Sequence, residues 1–186
     1  MNKSYKLLRK LRERLKGGHV KRYHTRPEVS DGQDVASHSW RTVVILTTLW
    51  PDTSRECVLW TLYHDVTEAE LGDLPATTKW KYKDIATAFS FAEKAYEKVL
   101  ELPINFEELT LEEQNRAKIA DILELILHCK RQMQLGNSLA EIIHKRGIDH
   151  LEMLSKSSPK QMTLNNEEFR TIDDFELVFS LLEEIK

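Results

Sequence analysis

The segment "AKIADILELILHC", Ala117 to Cys129, constrains the fold more than any other stretch. Ile119, Ile122, Leu123, Leu125, Ile126 and Leu127 fall nearly all round a helix of 3.6 residues per turn. A helix that is apolar on every side belongs inside a protein. Asp121 sits within it. A carboxylate in such a place must be paired with a cation, hydrogen-bonded or bound to a metal. The chain must therefore build a core around this helix and bring a partner to Asp121.

The remaining elements read as helices too. Tyr5, Leu8, Leu11 and Leu15 keep helical spacing, and Gly17-Gly18 ends that helix. Residues 19 to 34 read as a loop. A second helix covers about 35 to 49, "VASHSWRTVVILTTL". "TSRE", Thr53 to Glu56, has the capping-box pattern and opens a third helix running to His64. "GDLPATT" breaks the pattern. A long helix follows from about 81 to 101. "TLEE" at Thr110 opens a helix to about Leu135, and "SLAE" at Ser138 opens another to about Leu154. "KSSPKQMTLNNEE" reads as a surface loop, and the last helix spans roughly 171 to 185. Strand signals are scarce. The expected class is all-α, an irregular helical bundle in one domain over residues 1–186. The apolar stripes of these helices, with Trp40, Trp60 and Trp80, are read as core; Trp80, beside the loop, is the one of the three best placed to meet a base.

Composition excludes several alternatives. Apolar residues make up 41% and charged residues 31% of 186, the balance of a soluble globular protein. No apolar run reaches the roughly 18 to 20 residues of a membrane span. The charged N-terminus lacks the apolar region of a signal peptide. Cys57 and Cys129 form neither a disulfide framework nor a zinc knuckle. A cytoplasmic protein is expected, with no membrane partner. The first 26 residues carry ten Lys or Arg against one acid, Glu13. Such a segment suits phosphate or a solvated helix face.

A second unusual stretch is "LYHDVTEAELGDLPATTKW", Leu62 to Trp80. His64 and Asp65 stand together at the end of an apolar run. With His38 near the start of the second helix and Asp121 in the buried one, they make two imidazoles and two carboxylates on three helices. Each alone has a bland reading as a salt-bridged or helix-end residue. Together, with the spacing H-x25-HD-x55-D, they suit a divalent transition metal. Nitrogen and oxygen donors without thiolate admit zinc, manganese, cobalt or iron(II). Magnesium prefers all-oxygen surroundings.

At these residues the chain resembles a known family. H…HD…D on helices is the hallmark of the HD-domain metal-dependent phosphohydrolases. "KRYHTRP", "ASHSW", "LYHDVTEAELGDLPATTKW" and "KIADILE" resemble the bacterial 5′-deoxynucleotidases of that superfamily and the related phage dATP triphosphohydrolases. The resemblance covers roughly residues 20 to 130; the helices from about 138 to 186 add no motif.

The resemblance implies His38, His64, Asp65 and Asp121 as metal ligands. It implies Glu68, of H-D-x-x-E, as the acid that assists Asp65 and the metal in catalysis, and Asp73, of G-D-L-P, as a deoxyribose contact. It implies Arg22 and Lys79 as phosphate contacts. Tyr23 stands where the family has the tryptophan of its Arg-Trp pair, a residue tied to sugar packing. Ser37 replaces the glutamate of E-H-S. The implied activity is hydrolysis of the 5′ phosphoester of a 2′-deoxynucleotide, releasing deoxynucleoside plus phosphate or triphosphate. A second ion, magnesium, is compatible on the substrate phosphates. A homo-oligomer, dimer or larger, is implied, in the host cytoplasm if the chain is phage-encoded, with no stable nucleic-acid partner.

Residue chemistry leaves some roles open. Glu68 could hold the attacking water or pass a proton to the leaving oxygen. Asp73 could bond backbone in its turn instead of a sugar. Lys79 could be a surface cation beside Lys81 and Lys83. His24 is a candidate pocket residue, and His19, His128, His144 and His150 are read as structural or exposed. Two rival readings are hydrolysis of a signalling nucleotide, against which G-D-L-P argues, and a non-catalytic nucleic-acid-binding or regulatory module.

Overall fold

The computed structural model describes residues 2–23, 32–157 and 168–184, with side chains except at 76, 77, 157 and 168–173. His24 and most of the loop read at 156–168 lie outside the described residues. Among the described residues the chain is helical, and its one β-type contact is an isolated bridge between Lys21 and Asp34. The all-α class follows directly from this.

Helix α1 covers Lys3–Gly17, and the Asn2 side chain accepts from the Ser4 N–H at its start. Helix α2, Val35–Leu49, is capped by Asp34, which accepts from the Ser37 N–H at 2.8 Å. Helix α3, Arg55–Tyr63, begins at Ser54, whose hydroxyl accepts from the Cys57 N–H. The cap is thus one residue later than the expected Thr53, because the Thr53 hydroxyl donates instead to the Trp50 carbonyl at 2.6 Å. After His64 the chain turns, and a single turn, α4, Glu68–Leu71, follows. Helix α5 is Ala76–Lys81 and α6 is Lys83–Leu100. The break at Tyr82 divides the expected 81–101 helix from a piece reaching back into "ATT". Lys79, paired with Glu93 at 3.6 Å and lying over the Phe89 ring, folds α5 back against α6.

Helix α7, Leu111–Gln134, starts with a complete capping box between Thr110 and Glu113. It packs on α2, α3, α8 (Ala140–Ser157) and α9 (Glu168–Glu184). Ile119, Ile122, Leu123, Leu125 and Ile126 are buried, as the sequence demands. Leu46, Trp50, Cys57, Leu151, Val178 and Leu182 close the core around them. Burying apolar surface at about 25 cal/mol per Å² is the main term holding this centre together. A buried polar clamp fixes the last helix. Asp174 accepts from Arg116 Nε at 3.0 Å and from Trp50 Nε1, tying α9 to α7 and to the end of α2.

Two sequence expectations fail. Trp40 is 64% exposed, not core. The stripe of α1 also faces solvent, with Leu11 52% and Leu15 60% exposed. The reason is that α1 docks through its polar edge. Arg14 donates to the Leu100 carbonyl at 3.2 Å, Lys10 pairs with Glu101, and Gly17 is buried against Val66.

Replacing Asp174 by alanine leaves Arg116 without its buried partner on α9. The expected loss is about 3 kcal/mol of unfolding free energy, measured by urea denaturation.

Candidate metal centre and active site

Helix α2 carries His38 with its side chain fully buried, and α3 ends on His64. Asp65 begins the turn that follows, and α7 presents Asp121. The four side chains meet. His38 Nε2 lies 3.3 Å from His64 Nε2, 3.0 Å from Asp121 Oδ1 and 3.6 Å from Asp65 Oδ2. His64 Nε2 lies 3.4 Å from Asp65 Oδ1 and 3.9 Å from Asp121 Oδ1. His38, His64 and Asp65 alone bring their donor atoms within 4.8 Å of one another. Asp121 is the most open of the four, at 45% exposure.

The other ring nitrogens settle what these atoms present. His64 Nδ1 is 2.7 Å from the Thr61 carbonyl, which only accepts, so Nδ1 carries the proton. His38 Nδ1 is 2.8 Å from Glu124 Oε2, and it donates to that carboxylate. Both Nε2 atoms then turn lone pairs toward two carboxylates. Four lone-pair donors converging in a part-buried space repel one another unless a cation lies among them. The donor set therefore fits a divalent metal, with each histidine oriented by a partner on its far nitrogen. Burial alone would raise the carboxyls of Asp65 and Asp121, but both are held below the usual range, with the Arg22 guanidinium among the groups that favour their charge.

Glu124 was not singled out in the sequence. It is buried, accepts from Gln33 Nε2 at 2.8 Å, and has Arg41 at 3.6 Å. Its signal was present: it lies three residues after Asp121 on the same helix face, another acid in an apolar helix. Ser37, at the position of the family's glutamate, bonds Asp34 at the start of α2 through its N–H and its hydroxyl. The carboxylate that braces His38 comes from α7 instead.

The segment after α1 carries Arg22 to the centre. It is tied to the start of α2 by Arg22 N–H to the Gln33 carbonyl and Val35 N–H to the Val20 carbonyl. Arg22 pairs with Asp65. Tyr23 takes a left-handed φ of 60°, stacks on His128 at 5.4 Å, and packs behind the site against a small cluster around Cys129 and Ala140. Its ring does not line the cavity. Its backbone N–H donates to Asp73 Oδ2 at 3.3 Å. Asp73 follows Gly72, whose φ of 79° suits glycine at the end of α4.

Glu68 follows Asp65 through a turn rather than a continued α3, with its N–H bonded to the Asp65 carbonyl at 3.1 Å. It is buried, and its Oε2 has no hydrogen-bond partner. Burial, with Asp65 and Asp73 nearby, pushes its carboxyl up to about 9. A cavity of about 320 Å³ opens over these groups. Arg22, Asp65, Glu68, Asp73, Lys79 and Asp121 line it, with Trp80, Lys118, His150 and Leu154. Lys118 opens the quoted "KIADILE" but was given no role there, and α8, which brings His150 and Leu154, carries no motif; Trp80 and His150 stack at 4.3 Å.

Two imidazoles and two carboxylates thus meet on a helical bundle, with an arginine on one acid and a buried glutamate beside it, the set on which the resemblance to the HD-type phosphohydrolases rests. The family profile described as "YfbR-like: 5'-deoxynucleotidase YfbR-like" matches residues 13–174, and the chain belongs to that family. It is therefore a hydrolase of the metal-dependent 5′-deoxynucleotidase kind. In fold the chain is similar to the crystal structure of the PH0347 protein from Pyrococcus horikoshii OT3. That likeness has a TM-score of 0.59 at 17% identity and covers 92% of this chain and 99% of the other. No curated protein sequence matches the chain. Among the described residues no helix is long and apolar enough to cross a membrane.

Two substitutions test the centre. Asp121→Ala is expected to abolish manganese binding in isothermal titration calorimetry. Glu124→Gln is expected to weaken it about 10- to 100-fold by loosening His38.

Proposed function

We propose that the chain, acting as one HD-type unit in the cytoplasm, hydrolyses the 5′ phosphoester of 2′-deoxynucleoside monophosphates. The observation that carries this reading is the convergence of lone-pair donors beside Arg22 and Glu68 in one cavity. His38, His64, Asp65 and Asp121 would hold a divalent transition metal: manganese, cobalt, zinc or iron. When bound, such an ion acidifies a water and polarises a phosphoryl oxygen.

The remaining work falls to the chain's own residues. Arg22 is the bidentate donor for phosphate oxygens. Lys79 and Lys118 add positive charge on the cavity wall, and Lys118 also lies over the Phe106 ring, 4.8 Å away. Glu68, protonated near neutral pH, gives its proton to the departing 5′ oxygen. Asp73 reaches the sugar from a position already fixed by the Tyr23 amide. Trp80 and His150 offer aromatic surface to a base. Tyr23 acts from behind, setting the segment that bears Arg22.

A second reading, release of triphosphate from a deoxynucleoside triphosphate, has one observation in its favour. Lys81, Lys83 and Arg146 line an adjoining basin that shares Trp80 and His150 with the cavity. Magnesium on the phosphate tail would accompany that reaction.

The test is product analysis with deoxynucleoside mono- and triphosphates and matching ribonucleotides, with manganese and with EDTA. Deoxynucleoside plus inorganic phosphate, abolished by EDTA, is the expected outcome; free triphosphate would select the second reading, and no metal-dependent turnover would reject both. Glu68→Gln should lower kcat by about 10²- to 10⁴-fold, measured by phosphate release under saturating substrate.

A further inference from the structure

Helix α6 turns an acid inward. Ala86, Phe89, Glu93, Tyr96 and Leu100 recur at helical spacing and are buried or half-buried, the covered face of the helix. A carboxylate is kept on such a face only where a partner compensates it. Burial pushes the Glu93 carboxyl above its ordinary value, and the Lys79 ammonium opposes that rise. Lys79 Nζ lies 3.6 Å from Glu93 Oε1. Phe89, four residues earlier on the same face of α6, places its ring centre 5.2 Å from the same ammonium.

Lys79 therefore stands between two sets of acids. On one side it lines the cavity with Asp65, Glu68, Asp73 and Asp121. On the other, Glu93 reaches it from α6. Burial alone would lower the ammonium, but Glu93, ahead of Asp65, Glu68 and Asp121, holds it above its ordinary value. A lysine is a point charge with three donors on a flexible four-carbon stem, so its head goes where charge draws it. Glu93 and the Phe89 ring engage part of that head and leave the rest for the cavity. With Glu93 neutral, the strongest remaining pull comes from the acids of the metal centre. Lys81 and Lys83 do not share this tension, because they line the adjoining basin instead.

We propose that Glu93 is a positioning residue that holds the Lys79 ammonium at the cavity wall, where it meets phosphate, and keeps it off the carboxylates of Asp65 and Asp121. The proposal rests on the reading of the metal centre and of Lys79 given above. Glu93 itself touches neither the metal site nor the substrate. Its effect passes through one side chain, which makes the two separable by substitution.

The test uses the full chain with the isosteric Glu93→Gln, with Lys79→Met, with both together, and with Glu97→Gln, one turn further along α6, as the control. Calorimetric titration with manganese reads the hold on the ammonium. Affinity should fall roughly 10-fold in Glu93→Gln, return to the wild-type value or tighter in the double variant, and stay unchanged in Glu97→Gln. A helix merely loosened by the substitution would not be restored by removing a second side chain. Inhibition by inorganic phosphate at saturating manganese reads the placement. The inhibition constant should rise roughly 10-fold in Glu93→Gln and in Lys79→Met, with no further rise when they are combined. Wild-type manganese affinity in Glu93→Gln overturns the proposal, as does a loss that the double variant keeps. Phosphate inhibition that weakens additively in the double variant also overturns it, and so does Glu97→Gln matching Glu93→Gln. Lys79→Met with wild-type phosphate inhibition takes Lys79 away from the phosphate and rejects the placement. An inactive wild type with the expected manganese pattern would reject the reading of the reaction and leave the hold of Glu93 on Lys79 standing.

Discussion

His38 bridges two carboxylates of one buried helix, and the active centre depends on that bridge. Its Nδ1 gives a proton to Glu124 and its Nε2 faces Asp121, three residues earlier on α7. The helix is apolar on its other sides, so it has one place in the bundle and cannot rotate without exposing leucines and isoleucines. That placement fixes the acids, the acids fix the imidazole, and the imidazole sets where His64 and Asp65 must arrive. A centre assembled from α2, the end of α3 and α7 thus inherits its precision from core packing.

Much of this was legible in the sequence because its causes are local. The apolar circumference of α7 announced burial, the capping box at Thr110 announced its start, and the H…HD…D spacing picked out four side chains that the fold brings together. What stayed hidden depends on tertiary placement. Nothing in the neighbourhood of Glu124 says that Gln33 and Arg41 will surround it. Lys118 and His150 reach the cavity only because α7 and α8 pack as they do. The α1 stripe misleads for a related reason. Period alone shows that a helix has an apolar face, but the side that docks is chosen by Gly17, Lys10 and Arg14, each ordinary in isolation.

The placement of Tyr23 revises the simplest transfer from the family pattern. A bulky aromatic next to the phosphate-binding arginine reads as a substrate contact. Its left-handed backbone turns the ring inward instead, onto His128. The left-handed region costs a non-glycine residue on the order of 1 kcal/mol or more, and the stack and the Asp73 contact are what hold it there.

That Asp73 contact ties two events together. The cavity-lining carboxylate of Asp73, proposed above to meet the sugar, is also the anchor of the main chain at Tyr23, one peptide unit from Arg22. On that reading, a hydroxyl that draws on Asp73 would pull on the segment that carries Arg22. Recognition of the pentose and grip on the phosphate would then be one mechanical linkage, so that a poorly fitting sugar would be felt at the phosphorus as misalignment and not only as weaker binding.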